Sequence, residues 1–320
     1  MKRRLFLFAS FALFAACGQN RKACPEASGC VTDPASPPST GTVLRASWGK
    51  DPGQLGVSDA EEGNAEAPMS LVFDPKTGEI LLLDQLNLRV QVFLGSVLKK
   101  VILIPSGTVQ DLALLANGNI LLLDRLKDAE LIEIDQDGSV IGKTSVIGDG
   151  IASAAEITAL FSNEKGIWAD IGKQSILLLD PAGVAPQTRE IQPGFPANDH
   201  VYKVQGTGRT LSIISTPSHQ ATGQKQTLVE YPSPVTGITT LRVDKLGNVY
   251  LATRHLLDDR KSTSETSWMV VLDAELREVR RLILSPNGTA REIFRELEIG
   301  PNGEIFQLHI TQDAALVERY

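Results

Sequence analysis

Three aspartates close short apolar runs at nearly regular intervals: Asp84 after residues 80–83, Asp124 after residues 120–123 and Asp170 after residues 166–169. Thr253 and His309 take the same place later in the chain. Carboxylates gathered from successive units are the donors a hard cation such as Ca²⁺ requires, in a shell of roughly six to eight oxygens. The same groups, Asp84 and Asp124 above all, would suit a metal-dependent hydrolase or lactonase with a carboxylate-lined axial site. A plainer account competes with this one. The same residue in the same place of each repeat is first a feature of the repeat, and aspartate commonly accepts hydrogen bonds from the backbone amides of its own loop. Asp84, Asp124, Asp170 and His309 are therefore weak metal candidates, and no metal or other cofactor is expected.

The four histidines add little to this chemistry. His200, His255 and His309 fall near strand ends in the later units, where zinc would need such ligands, but residue type alone supports that use. His219 sits in a polar stretch. No nucleophile elbow, phosphate-cradling glycine loop or Ser-His-Asp signature is present, so no catalytic residue is assigned.

The three cysteines lie within the first thirty residues. Lys2, Arg3 and Arg4 precede an apolar run over 5–14, and the small residues Ala15 and Ala16 stand before Cys17. This resembles a bacterial lipoprotein signal peptide (residues 1–16), with Phe14 where the pattern usually has leucine. The resemblance implies that Cys17 becomes the first mature residue and carries lipid, palmitate included, which makes the membrane a partner. The apolar run falls short of the ~20 residues a spanning helix needs. Gly18 in place of aspartate favours sorting to an outer membrane where one exists. Cys24 and Cys30 then remain as an even pair in an oxidising compartment, and a small disulfide loop is expected.

From 18 to 41 the chain is rich in Pro, Ser, Gly and Thr and nearly devoid of large apolar residues. Such a segment buries too little surface to offset the entropy of ordering it. Residues 17–41 read as a lipidated flexible tether, reaching ~25–30 Å on average. The formal net charge is -7 and includes three positive charges of the signal segment, so removing it leaves -10 (-7 minus 3). An acidic chain with no basic patch is a poor partner for nucleic acid.

The elements that must position these residues are short strands. Turn glycines followed by an apolar strand recur at Gly78, Gly118, Gly166, Gly208, Gly247 and Gly303, at intervals of 40, 48, 42, 39 and 56 residues. An apolar strand precedes each, and further strands follow. Four short strands per unit at this period specify a propeller blade. The first strands are expected over 71–73, 112–115, 157–161, 201–204, 241–243 and 297–299. Unit four is the least regular, because Pro232 and Pro234 leave little room for its fourth strand. Unit six runs out of chain, and the strand-like run 42–48 is expected to pair with the C-terminal strand and close the ring, which removes open sheet edges. Residues 153–160 are the one plausible helical stretch, and 254–267 read as a long polar insertion between two strands, a place where binding loops occur.

Residues 71–93 resemble an NHL repeat: a strand, an Asp-x-x-x-Gly turn (Asp74 to Gly78), an apolar strand ending in Asp84, and Arg89-Val90-Gln91-Val92-Phe93. The preceding Trp48 to Gly56 is similar to the Gly-Pro-Gly-Gln-Phe linker that often precedes such repeats. The resemblance implies an all-β, six-bladed propeller over 42–320, built of four-stranded antiparallel blades. It implies no activity. The expected function is an envelope lipoprotein that recognises or scaffolds a protein or glycan without catalysis, exported and lipid-anchored.

Overall fold

The computed structural model describes residues 41–59, 64–219, 222–259, 262–300 and 302–320. The proposed lipid site Cys17 and the pair Cys24 and Cys30 lie outside the described residues.

Among the described residues twenty-four strands build six four-stranded antiparallel sheets, and the ring they form is a six-bladed β-propeller. The first strand is β1 (Gly41–Ser47). Blade one holds β2 (Ser70–Phe73), β3 (Ile80–Asp84), β4 (Arg89–Leu94) and β5 (Val97–Leu103). Blade two holds β6 (Asp111–Leu114), β7 (Ile120–Asp124), β8 (Glu130–Ile134) and β9 (Val140–Ser145). Blade three holds β10 (Ala159–Asn163), β11 (Gly166–Asp170), β12 (Ser175–Leu179) and the two-residue β13 (Ile191–Gln192). Blade four holds β14 (Phe195–Ala197), β15 (His200–Thr207), β16 (Thr210–Pro217) and β17 (Lys225–Glu230). Blade five holds β18 (Val235–Val243), β19 (Val249–Asp259), β20 (Ser262–Leu272) and β21 (Glu278–Leu284). Blade six holds β22 (Leu297–Ile299), β23 (Ile305–Ile310) and β24 (Ala314–Arg319), and β1 completes it by pairing with β24.

The second strand of a blade shows why the apolar runs are continuous rather than alternating. Every residue of β7 is buried. Because successive side chains of a strand point to opposite faces, Ile120 and Leu122 pack into the layer shared with blade one, and Leu121 and Leu123 into the layer shared with blade three. In β3 the same division sends Leu81 and Leu83 towards blade two and Ile80 and Leu82 towards blade six. Each of these leucines, removed from water, contributes about 1.5–3 kcal/mol. The core is thus a set of layers between blades, with the most solvent-exposed positions on outer strands such as β9.

Turn chemistry fixes the ends of the inner strands. Gly78 and Gly118, at φ of 75° and 89°, donate their amides to Asp74 and Leu115 carbonyls, a conformation glycine enters without steric cost.

Three expectations are corrected. Blade four is complete but its frame is shifted by one strand: β14 is innermost, residues 201–204 belong to the second strand, and Gly208 joins the second and third. Phe195 to Ala197 is too short and proline-broken to read as a strand, yet it pairs with β15 from Phe195↔Tyr202 to Ala197↔His200. Residues 254–259 and 262–267 are strand rather than loop. They continue β19 and β20 as a ladder paired from Arg254↔Ser267 to Asp259↔Ser262. Of residues 153–160, only Ala154–Glu156 is helical, a single 3₁₀ turn with Ser153 accepting the Ala155 amide, before β10 begins.

Candidate functional site

The inner strands β2, β6, β10, β14, β18 and β22 converge on the axis, and two cavities open at their opposite ends. The larger, of about 780 Å³, is lined by the ends of the inner strands and the turns that follow them, including Phe73, Leu114, Phe161, Phe195, Val243 and Ile299. The smaller, of about 530 Å³, is lined by the beginning of β18 and by Arg125, Arg254, Glu265, Phe294 and Glu296. Arg242 and Arg295 line both, so their side chains occupy the axis between them.

Arg295 precedes β22 and crosses to the inner strands of other blades. Its Nε donates to Asp111 Oδ1 at 2.9 Å, its Nη1 to Glu298 Oε2 at 2.8 Å and its Nη2 to the Ser70 hydroxyl at 3.2 Å and to the Leu112 carbonyl. Asp111, fully buried at the start of β6, also accepts from the Ser70 hydroxyl and from the amides of Leu112 and Leu160. One buried carboxylate therefore ties blades one, two and three to the approach of blade six. Burial works against the charge on Arg295, but Asp111 and Glu298 outweigh it and the pKa is raised. Burial raises Glu298 above the ordinary carboxylate range, with Arg295 and Arg242 pulling the other way.

Arg242, in β18, is placed differently. Its Cζ lies 5.5 Å from the Phe161 ring centroid and 5.4 Å from that of Phe195. Its Nη1 donates to the neighbouring Leu241 carbonyl at 2.8 Å, and among the described residues it forms no ion pair. Burial lowers its pKa, opposed by the charges of Asp170 and Glu298.

The residues singled out in the sequence stand elsewhere. Asp84 is fully buried and accepts from Arg89 Nε at 2.7 Å, the Gly56 amide at 2.8 Å and the Asn87 side chain. Arg89 in turn binds the carbonyls of Lys50, Asp51 and Gln54, so this pair clamps the segment that leads into blade one. Asp124 accepts from the Thr108 hydroxyl at 2.6 Å and the Lys127 amide at 3.1 Å. Asp170 accepts from the Gly172 amide at 2.9 Å, and burial raises its pKa against the pull of Arg242. Thr253 Oγ1 lies 2.9 Å from His255 Nε2, inside blade five. His309 lies with Nδ1 4.0 Å from Glu318 Oε1. None of the five lines either cavity. Among the described residues no three His, Cys, Asp or Glu side chains form a group able to hold a metal ion.

The axial residues missed in the sequence had a signal. Asp111, Arg242, Arg295 and Glu298 are charges in or beside the apolar first strand of a unit, where a buried face demands a partner. What that pattern cannot give is which charges meet across the ring.

No family model matches the chain, and no curated protein matches it. Among solved structures, streptogramin B lyase is 9% identical over 86% of this chain and 97% of its own, with a TM-score of 0.44. A member of the DUF4221 family from Bacteroides vulgatus is 10% identical over 88% and 97%, with a TM-score of 0.49. A putative exported protein from Bacteroides fragilis is 11% identical over 76% and 81%, with a TM-score of 0.37. Likeness at this level carries nothing about ligand or reaction, and the propeller rests on its own sheet topology.

Proposed function

We propose that this chain is an exported propeller, held to a membrane through lipid on Cys17, that recognises an envelope protein, glycan or small ligand without catalysing a reaction on it. The observation that carries the reading is how the buried carboxylates are spent. On the axis Asp111 and Glu298 are taken by Arg295, and away from it Asp84 is taken by Arg89 and Asp124 by the Thr108 hydroxyl and the Lys127 amide. A hydrolytic cation site would need several of these carboxylates free and convergent. What remains open to solvent is a pair of cavities of the size small ligands and partner side chains fill. The likeness of residues 71–93 to an NHL repeat is consistent with a binding propeller, and the spacing of Lys2, Arg3, Arg4, the apolar run and Cys17 supports export. Residues 17–41 serve as the tether, with Cys24 and Cys30 bridged.

The test is fractionation of cells expressing the chain and Cys17→Ser, with metabolic labelling by a palmitate analogue. The wild type should label and sediment with membranes, and the variant should do neither. Equal membrane association and processing of the two would overturn the anchor. Turnover of an ester or lactone panel that disappears on chelation would overturn the non-catalytic part.

A further inference from the structure

Among the described residues, the two arginines that lie between the cavities differ in how far their surroundings spend their charge. Arg295 is saturated by Asp111, Glu298, the Ser70 hydroxyl and the Leu112 carbonyl. Arg242 is not: of its five N–H groups, the one hydrogen bond among the described residues goes to the Leu241 carbonyl. Its guanidinium rests against Phe161 and Phe195, both walls of the larger cavity. The rings face a cation that they attract but cannot hydrogen-bond, and because the residue is half-buried its remaining N–H groups stay open to solvent, where a ligand oxygen can reach them.

The carboxylates around this cavity keep their charge but have hydrogen-bond partners of their own. Asp74 accepts from the Lys76 amide, Asp180 from the amides of Ala182 and Val184, and Asp244 from the amides of Leu246 and Asn248 and the Tyr250 hydroxyl. Glu298 is held by Arg295, Lys76 Nζ by the Ala116 carbonyl and Glu79 by the Thr77 hydroxyl. Lys245 is exposed and adds a positive charge at the rim. The apolar part of the wall is made of Phe73, Leu114, Val243 and Ile299 together with the two phenylalanines against which Arg242 rests, and the charged and amide side chains make up the rest.

We propose that the larger axial cavity binds a small organic carboxylate with an apolar body, its two oxygens taking the free fork of Arg242 and its body lying among Phe73, Phe161 and Phe195. The planar guanidinium fork matches a carboxylate bidentately, which a lysine ammonium does not. The cavity, of about 780 Å³, lies within the range small-molecule sites span. This inference rests on the recognition reading of the propeller and names a ligand class for it.

The test is calorimetric titration of the purified full-length chain with 3-phenylpropanoate and octanoate, with their primary amides and with inorganic phosphate. At least one acid should bind saturably. Its amide should bind about tenfold more weakly or worse, a difference of about 1.4 kcal/mol. Arg242→Gln should lose a similar factor, and Arg242→Lys should fall between, since it keeps the charge and loses the fork. The comparison of acid with amide on the unaltered protein stands even where Arg242→Gln fails to fold. Neither acid binding, amide binding as well as acid, or phosphate binding in place of both acids would each overturn the assignment, as would a folded Arg242→Gln that binds like the wild type. Those failures leave the recognition reading standing. An acid that binds through Arg242 but is recovered chemically altered would support the ligand class and overturn the non-catalytic reading instead.

Discussion

Arg295 and Asp111 show how a buried charge can be an asset only in company. Each is nearly sealed from solvent, with side-chain exposures of 7% and 0%. Removing one leaves the other desolvated and unpaired, which costs about 3–5 kcal/mol, although replacing the whole set by apolar groups is often neutral. Arg295→Met should therefore lower the unfolding free energy read from urea titration by an amount in that range, and a double variant with Asp111→Leu should recover part of it. A loss below about 1 kcal/mol in the single variant would show that the network is dispensable. His255 makes a second test, in pH. It is fully buried, with Nδ1 3.1 Å from the Ser233 carbonyl and Nε2 2.9 Å from the Thr253 hydroxyl, and burial lowers its pKa. The folded state therefore binds this proton less readily than the unfolded chain. The stability this gives is fully present above the ordinary histidine value of ~6.5 and is lost as pH falls below it, by at most ~1.4 kcal/mol per pH unit. Thermal unfolding of wild type and His255→Gln between neutral and mildly acidic pH should show the wild type losing the more stability on acidification. Parallel curves would mean that His255 does not titrate on unfolding. Glu296 and Glu298, whose pKa values burial raises, act in the opposite direction in both proteins and cancel in the comparison.

At the scale of elements, the segment leading into blade one is held by geometry as much as by charge. Gly56 donates to Asp84 Oδ1, and a Cβ placed there would stand 2.7 Å from Leu86 Cβ and 2.9 Å from that oxygen. Gly53 donates to Gln91 Oε1 at 2.8 Å, and Leu55 is completely buried. Gly56→Ala should therefore destabilise by about 1–3 kcal/mol, the usual cost of overpacking. An unchanged melting temperature would mean that the segment shifts freely. This clamp explains which elements were legible from residue order. Blade one reads clearly because its turn glycine, its apolar run, Asp84 and Arg89 are all local in sequence, with Gly78 closing its turn on Asp74 and Arg89 pairing with Asp84. Blade four reads poorly because its inner strand, Phe195 to Ala197, is three residues long and takes its identity from pairing with β15. The outer part of the β19 and β20 ladder reads as an insertion because 254–267 are mostly polar, and backbone pairing between strands does not require apolar side chains. The axial site was unreadable for a related reason. Arg295 and Asp111 are 184 residues apart, and nothing local encodes their meeting.

At the scale of the whole molecule, the main ladder that closes the ring is the non-local pairing of β1 with β24, beside isolated bridges from Glu66 to Glu292 and from Ser70 to Arg295. The ladder runs from Gly41↔Arg319 to Ser47↔Ala314 and buries Leu44 and Ala46 in the layer between blades six and one. It joins the two ends of the propeller without a covalent link, so it is the place where the ring can be opened without touching any other blade. A chain beginning at Trp48 lacks the outer strand of blade six. It loses the burial of Leu44, about 1.5–3 kcal/mol for that side chain alone, and exposes the β24 edge as a template for another chain. Such a truncation should unfold at lower temperature and should associate in a concentration-dependent way by light scattering, whereas a chain beginning at Gly41 should match the full-length protein in both. Because each blade packs against its neighbours, the loss should not stay in blade six. The transition should broaden or split as cooperativity round the ring falls. A truncated chain that melts as sharply and as high as the full-length one, and stays monomeric, would mean that blade six stands on three strands and that the ring does not depend on its N-terminal strand.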